Sequence, residues 1–143
     1  MCQYLKIKIF MVRDFILCLW QLPQNLLAGV IILIYRATKL YSYMGSDIYT
    51  VKRFFDSGIS LGKYIIVQQD RATDDTIKHE AGHSIQSRWL GPLYLFVVGL
   101  PSIVRNIYDR LFHKNMLYYD RVKWYYSGFP EAQADKLGGV KRF

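Results

Sequence analysis

Apolar and polar positions follow several distinct patterns along the 143-residue chain. Positions 1–10 set apolar residues against Lys6 and Lys8, and from Phe15 the sequence reads FILCLWQLPQNLLAGVIILIY, ending at Tyr35. That stretch has about the length a membrane-spanning helix needs. Gln21, Pro23, Gln24 and Asn25 sit near its middle, where unpaired polar groups cost most in a bilayer. Lys6, Lys8 and Arg13 flank one end, Arg36 and Lys39 the other, so a single crossing puts one basic cluster on the disfavoured side. A helix broken at 21–25 that dips into the bilayer and returns fits both features better; a straight span stays open.

From 41 to 60 the pattern turns polar and aromatic, with Gly45, Asp56 and Gly58 as turn formers. Runs 48–55 and 59–69 carry β-branched and aromatic residues, and 63–69 (KYIIVQQ) reads as the clearest strand. The pair predicts a small antiparallel hairpin around 56–58. In 70–91, Thr73 or Asp74 caps a helix, Asp75 suits its first turn, and Ile77, Ala81, Ile85 and Trp89 recur every four residues, the first three as a core-facing stripe. Gly91 and Pro92 end or kink it. A second apolar run, 93–104, is interrupted by Gly99, Pro101 and Ser102; a basic, Tyr-rich stretch, 105–127, leads to PEAQADKLGG. There Pro130 suits a first helical turn and Gly138–Gly139 a helix stop. The expected fold is a mainly helical α+β domain over 1–143, with a membrane-associated helical segment at 1–40 and a core at 41–143.

Composition sharpens this picture. With 52% hydrophobic residues and 21% charged, a disordered polyelectrolyte is excluded. A net charge of +8 alongside 12 Tyr points to a membrane surface. Nucleic acid is not expected as a partner, because no recognition motif or basic helix stripe is present. Cys2 and Cys18 supply neither a disulfide framework nor a Cys-based zinc site, and Cys18 reads as a small buried hydrophobe. The apolar N-terminal stretch lacks a small-residue cleavage site, so the N-terminus is expected to be retained. Of the 11 acidic residues only Glu80 and Glu131 are glutamates.

Both glutamates fall in motifs. His79-Glu80-Ala81-Gly82-His83 is an H-E-x-x-H sequence on the predicted helix. Residues four apart share a helix face about 5–6 Å apart, so two imidazoles can hold one zinc ion. Glu80 then reaches a water molecule as general base rather than the metal. Gly82, beside the ligand face, admits another backbone at close range. The third ligand comes from elsewhere: Gln86 and Trp89 occupy the positions where a metzincin carries Gly and His. His113 is one candidate, in a basic context. Glu131 is the better one, since Asp135 follows one turn later and can accept the free ring N–H of a ligand histidine.

HEAGH followed by EAQAD resembles the gluzincin zinc metallopeptidases, especially the membrane-associated minigluzincin branch, and the wider string is similar to small bacterial membrane proteins. The likeness covers at most 63–139. It implies a zincin-like core in which His79, His83 and Glu131 hold Zn2+, Glu80 is the general base and Asp135 supports a histidine. The family's oxyanion-stabilising Tyr or His has five candidates here: His113, Tyr118, Tyr119, Tyr125 and Tyr126. The expected activity is metal-assisted hydrolysis of peptide bonds; the alternative is a zinc-stabilised membrane module or scaffold without proteolysis. Strand 63–69 either sits at a sheet edge, where it can hold an extended peptide, or is an ordinary core strand.

The two motifs also constrain topology. His83 and Glu131 lie 48 residues apart and must reach one ion, so the chain between them crosses a membrane an even number of times. Run 93–104 is therefore expected to be buried, re-entrant or interfacial. Arg105, Arg110, Lys114, Arg121, Lys123, Lys141 and Arg142 are expected to face anionic lipid headgroups, with the metal site on the cytoplasmic side of the membrane.

Overall fold

The computed structural model describes residues 2–54 and 57–143, with residues 2–7 by backbone alone. Asp56, part of the expected turn, and the side chains of Cys2 and Lys6 lie outside the described residues. The long apolar stretch forms two helices, α1 (Cys2–Trp20) and α2 (Leu22–Tyr35), bent by 84°. Among the described residues no single helix is long and apolar enough to cross a membrane; the bent pair meets length and composition only together.

The break falls where the polar residues predict it, and each of Gln21, Gln24 and Asn25 donates a hydrogen bond within the protein. Gln21 and Gln24 are buried. The Gln21 amide donates to Ser87 Oγ at 2.8 Å and the Gln24 amide to the Gly91 carbonyl. Asn25 donates to the Cys18 carbonyl at 3.1 Å and accepts from the Lys63 backbone N–H at 2.9 Å. Polar groups that would be costly in lipid thus tie the helical elbow to the rest of the fold. Pro23 sits in the first turn of α2, where its missing N–H costs nothing. Cys18 is exposed rather than buried, because α1 turns most of its apolar side chains outward, from Ile9 to Leu19.

The sheet corrects the sequence reading. Strands β1 (Thr38–Tyr43) and β2 (Ser46–Val51) pair antiparallel across Met44–Gly45, whose φ values of 49° and 78° make a type I′ hairpin turn. Strands β3 (Gly58–Leu61) and β4 (Tyr64–Gln68) form a second hairpin across Gly62–Lys63, with Gly62 at φ 62°. β2 and β4 then pair parallel, in the order β1-β2-β4-β3. Among the described residues, the runs expected to pair as an antiparallel hairpin meet instead in the parallel β2–β4 pair, because left-handed Gly62 folds 59–69 back on itself. β4 is an interior strand with Ile65, Ile66 and Val67 fully buried; the edges are β1 and β3.

Helix α3 (Asp74–Leu90) begins at Thr73, whose hydroxyl accepts from Thr76 N–H at 3.2 Å. Ile77 and Ala81 pack on Ile48, Ile65 and Val67 of the sheet. The expected stripe ends there: Ile85 is half-buried, and Trp89, next in the repeat, is 60% exposed. α3 is covered on a second side by α6 (Glu131–Gly138), which stops at left-handed Gly139. A Cβ on Gly82 would lie 1.9 Å from the Ala134 carbonyl oxygen, and one on Gly138 would lie 1.9 Å from that of Lys78. Only glycine permits this approach of two backbones. A second core cluster joins Ala28 of α2 to Leu61, Tyr94 and Val98.

The second apolar run is not one helix. It forms a short 3₁₀ turn (Gly91–Leu93), a π-turn (Leu95–Gly99) and the start of α4 (Leu100–Phe112), with Pro101 in the first turn of α4. α5 (Tyr118–Ser127) connects to α6. Three of the seven basic residues expected at headgroups are engaged inside the fold. Arg105 donates to the Tyr125 and Trp124 carbonyls and stacks over the Trp124 ring, Arg121 pairs with Asp109, and Arg142 with Asp135.

The Gly82 contact is testable by thermal unfolding. Gly82→Ala forces carbonyl Ala134 away and is expected to destabilise by about 2–3 kcal/mol, the range of severe overpacking, with loss of any metal bound between α3 and α6. Gly29→Ala, where nothing lies within 4 Å of the added Cβ, is expected to be neutral or stabilising. Equal melting temperatures for the two variants would contradict the tight helix contact.

Candidate metal centre

α3 and α6 place three predicted residues around one point. His79 Nε2 lies 3.0 Å and His83 Nε2 3.2 Å from the same oxygen, Oε2 of Glu131. All three side chains are buried, and their potential ligand atoms lie within 4.8 Å of one another, a grouping that can hold a metal ion. His113 is elsewhere, packed against Trp124 and Tyr108.

What surrounds these atoms decides their chemistry. His79 Nδ1 lies 2.7 Å from Asp135 Oδ1, as the motif predicts. His83 Nδ1 lies 2.7 Å from Gln86 Oε1. The Gln86 amide nitrogen donates to the Pro130 carbonyl and to Gln133 Oε1, which fixes its oxygen toward the histidine. Both imidazoles therefore donate from Nδ1. Their Nε2 lone pairs, when neutral, converge with a carboxylate oxygen on a point that a cation or a proton must occupy. Glu131 Oε1 is held separately by the Ser102 hydroxyl at 2.5 Å, leaving Oε2 alone to face the imidazoles.

Gln86 and Ser102 were missed by the sequence reading. Gln86 lies within the motif helix three residues past His83, a spacing that places it beside that histidine on one helix face and could have revealed it. Ser102 belongs to the apolar run, and nothing in its local sequence ties it to Glu131. Arg142, read as a headgroup contact, instead donates from Nε to Asp135 Oδ2 at 2.6 Å and covers the Tyr126 ring at 3.5 Å.

Electrostatics follow the same contacts. Burial pushes the His79 imidazole down, but its bonds with Asp135 and Glu131 outweigh this and raise its pKa to about 9. Burial pushes the Glu131 carboxyl up, and the two histidines reverse that and hold it well below the usual carboxylate range. Asp135 is likewise lowered: burial opposes ionisation, but His79 and Arg142 more than compensate.

Glu80 is buried on the same helix and lines a cavity of about 1080 Å³ together with His79, His83 and Glu131. Its carboxyl lies against Gly58 of β3, where a Cβ would come within 2.9 Å of Oε1. Of the five candidate oxyanion donors, Tyr118, Tyr125 and Tyr126 line this cavity. Tyr119 packs against Phe143. Tyr126 stands edge-on to His79 at 5.2 Å, and burial, partly offset by Arg142, keeps its phenol protonated. Tyr94, a further lining residue, donates to the Ser60 carbonyl at 2.9 Å.

The chain matches no known protein family, no curated protein and no solved structure.

Two outcomes test the centre. Without metal, His79 is protonated at neutral pH, so a divalent ion must displace its proton. Calorimetry in buffers of different ionisation enthalpy at pH 7.5 is expected to record about one proton released per ion from His79. Apparent affinity should rise with pH until about 9 and then level, and a pH-independent affinity between 7 and 9 would contradict the ligand role of His79. Ser102→Ala is expected to weaken metal binding by about 10-fold, the lower end for outer ligand supports, with Ser102→Thr restoring it. Unchanged affinity in Ser102→Ala would remove the serine from this role.

Proposed function

We propose that the chain is a zinc metallopeptidase of the gluzincin type that works at a membrane surface. The observation that carries this reading is the convergence of His79 Nε2, His83 Nε2 and Glu131 Oε2, with Glu80 lining the same cavity. The donor set suits zinc. Tetrahedral zinc with bonds of about 2.0–2.1 Å sets ligand atoms about 3.3 Å apart, and the nitrogen–oxygen separations here are 3.0 and 3.2 Å. Two neutral imidazoles and one carboxylate would hold such an ion with a net positive charge. Zinc bound there supplies Lewis acidity toward a peptide carbonyl and brings the pKa of water to around 7.

The remaining work falls to the chain. Glu80 accepts a proton from water as its oxygen adds to the peptide carbonyl carbon. The same carboxyl then delivers that proton to the amide nitrogen as the C–N bond breaks, giving a carboxylic acid and an amine, and the acid then loses its proton to the amine. Tyr126, a half-buried phenol beside His79, is the best placed of the tyrosines to donate to the oxygen that gains charge. The edge role considered for 63–69 passes to β3. In its tight hairpin, Ile59 and Leu61 face β4, so the backbone groups of Gly58 and Ser60 turn toward the cavity. An extended substrate added there runs past Glu80, and Tyr94 occupies the Ser60 carbonyl at its far end.

Membrane association rests on exposed apolar side chains in two regions. Phe10, Phe15, Leu26 and Leu33 of α1 and α2, and Phe96, Val104 and Phe112 of the second apolar region, are all more than half exposed. Such extended patches mark interaction surfaces. Lys114, Lys123 and Lys141 remain exposed for anionic headgroups, which favours the cytoplasmic leaflet.

Glu80→Gln separates this enzyme from a zinc-stabilised module. Zinc content, measured by mass spectrometry, is expected to stay at the wild-type level while peptide hydrolysis falls by about 10²–10⁴-fold. Hydrolysis at the wild-type rate would refute the role of Glu80.

A further inference from the structure

The cavity has two chemically different walls. One is the metal centre and the β3 edge. The other is apolar: Leu27 of α2, Leu95 and Phe96 of the π-turn, and Leu100, Ile103 and Ile107 of α4. Most of that second wall is also surface, because Phe96 is 71%, Leu100 55% and Ile103 50% exposed. The cavity is thus open along the apolar face, and beside Asn106, Asp109 and Arg110 its lining continues into the exposed apolar side chains of α4. An ordinary peptide cleft on a soluble protein closes its apolar subsites away from water; here they are shared with the outer surface.

We infer that the substrate is an apolar polypeptide segment, admitted from the lipid side and held extended between β3 and the α2–α4 wall. This inference rests on the peptidase reading for its chemistry, and on the cavity for its substrate class. The outward backbone of Gly58 offers strand pairing to a peptide up to the Ser60 carbonyl, which Tyr94 already holds, and an acyl chain has no group to use it. Alternate side chains of a strand paired there point toward opposite sides, so one set reaches the α2–α4 wall. Arg71, Arg110, Arg121 and Asp109 line the same cavity and give it a polar portion, suited to the stretch where an apolar segment emerges into the headgroup layer. The wall was not legible as a subsite in the sequence, since its residues come from three segments read as membrane-associated.

The test separates binding from hydrolysis. The 143-residue chain carrying Glu80→Gln and loaded with zinc is titrated with a dansylated peptide carrying leucine at alternate positions, and with the same peptide carrying serine there. Fluorescence anisotropy is expected to show the leucine peptide binding about 10-fold or more tighter, as expected for burying one or more leucines. Phe96→Ser and Ile103→Asn, both at exposed positions, should each reduce that preference several-fold. Leu33→Asn, on an exposed apolar position outside the cavity, should leave it unchanged. Preferential binding without hydrolysis by the wild-type protein would uphold the cavity assignment and remove only the peptidase reading. Equal affinity for the two peptides overturns the inference. So does displacement of the leucine peptide by lysophosphatidylcholine with equal effect in the wall variants, which would make the site a lipid site.

Discussion

The site depends on the approach of α3 and α6 at Gly82 and Gly138. Each glycine lies where a Cβ would come 1.9 Å from a carbonyl oxygen of the other helix. The two glycines set the distance at which the carboxylates of α6 meet the imidazoles of α3. At this range Glu131 reaches both histidines, and Asp135 reaches His79 from the next turn. The sheet supports α3 from the opposite side through Ile77 and Ala81, so the ligand helix is clamped rather than resting on one surface.

Burial of this many polar groups would destabilise the fold if any were left unpaired. Their pairing is directional. Asp135 and Gln86 take the Nδ1 protons, Ser102 takes one oxygen of Glu131, and Arg142 neutralises Asp135. The remaining lone pairs share a single focus. Ser102 also joins the centre to α4, whose outer face is apolar, so that exposed apolar surface and the carboxylate that faces the histidines belong to one mechanical unit.

Much of the centre was legible because its chemistry is local: His79, Glu80 and His83 occupy consecutive turns of one helix, and Asp135 follows Glu131 by one turn. The helix start at Thr73, the stop at Gly139 and the elbow at Gln21 were legible for the same reason. What the sequence hid was non-local. β1 carries an exposed TKLYSY pattern with no apolar alternation to mark it. The parallel pairing of β2 with β4 depends on Gly62 adopting a left-handed conformation. Ser102 and Arg142 acquire their roles only when distant segments meet. Gln21, Gln24 and Asn25 were correctly read as a break, but their partners on α3 and the β3–β4 turn could not be.

The central claim is that three side chains from two closely packed helices form one metal centre. A crystal grown with zinc, with anomalous diffraction recorded on both sides of the zinc absorption edge, addresses it most directly. The account predicts one fully occupied ion bound by Nε2 of His79, Nε2 of His83 and a single oxygen of Glu131, with Ser102 on the other oxygen. An ion held without Glu131, or no ion between α3 and α6 at stoichiometric zinc, would contradict it.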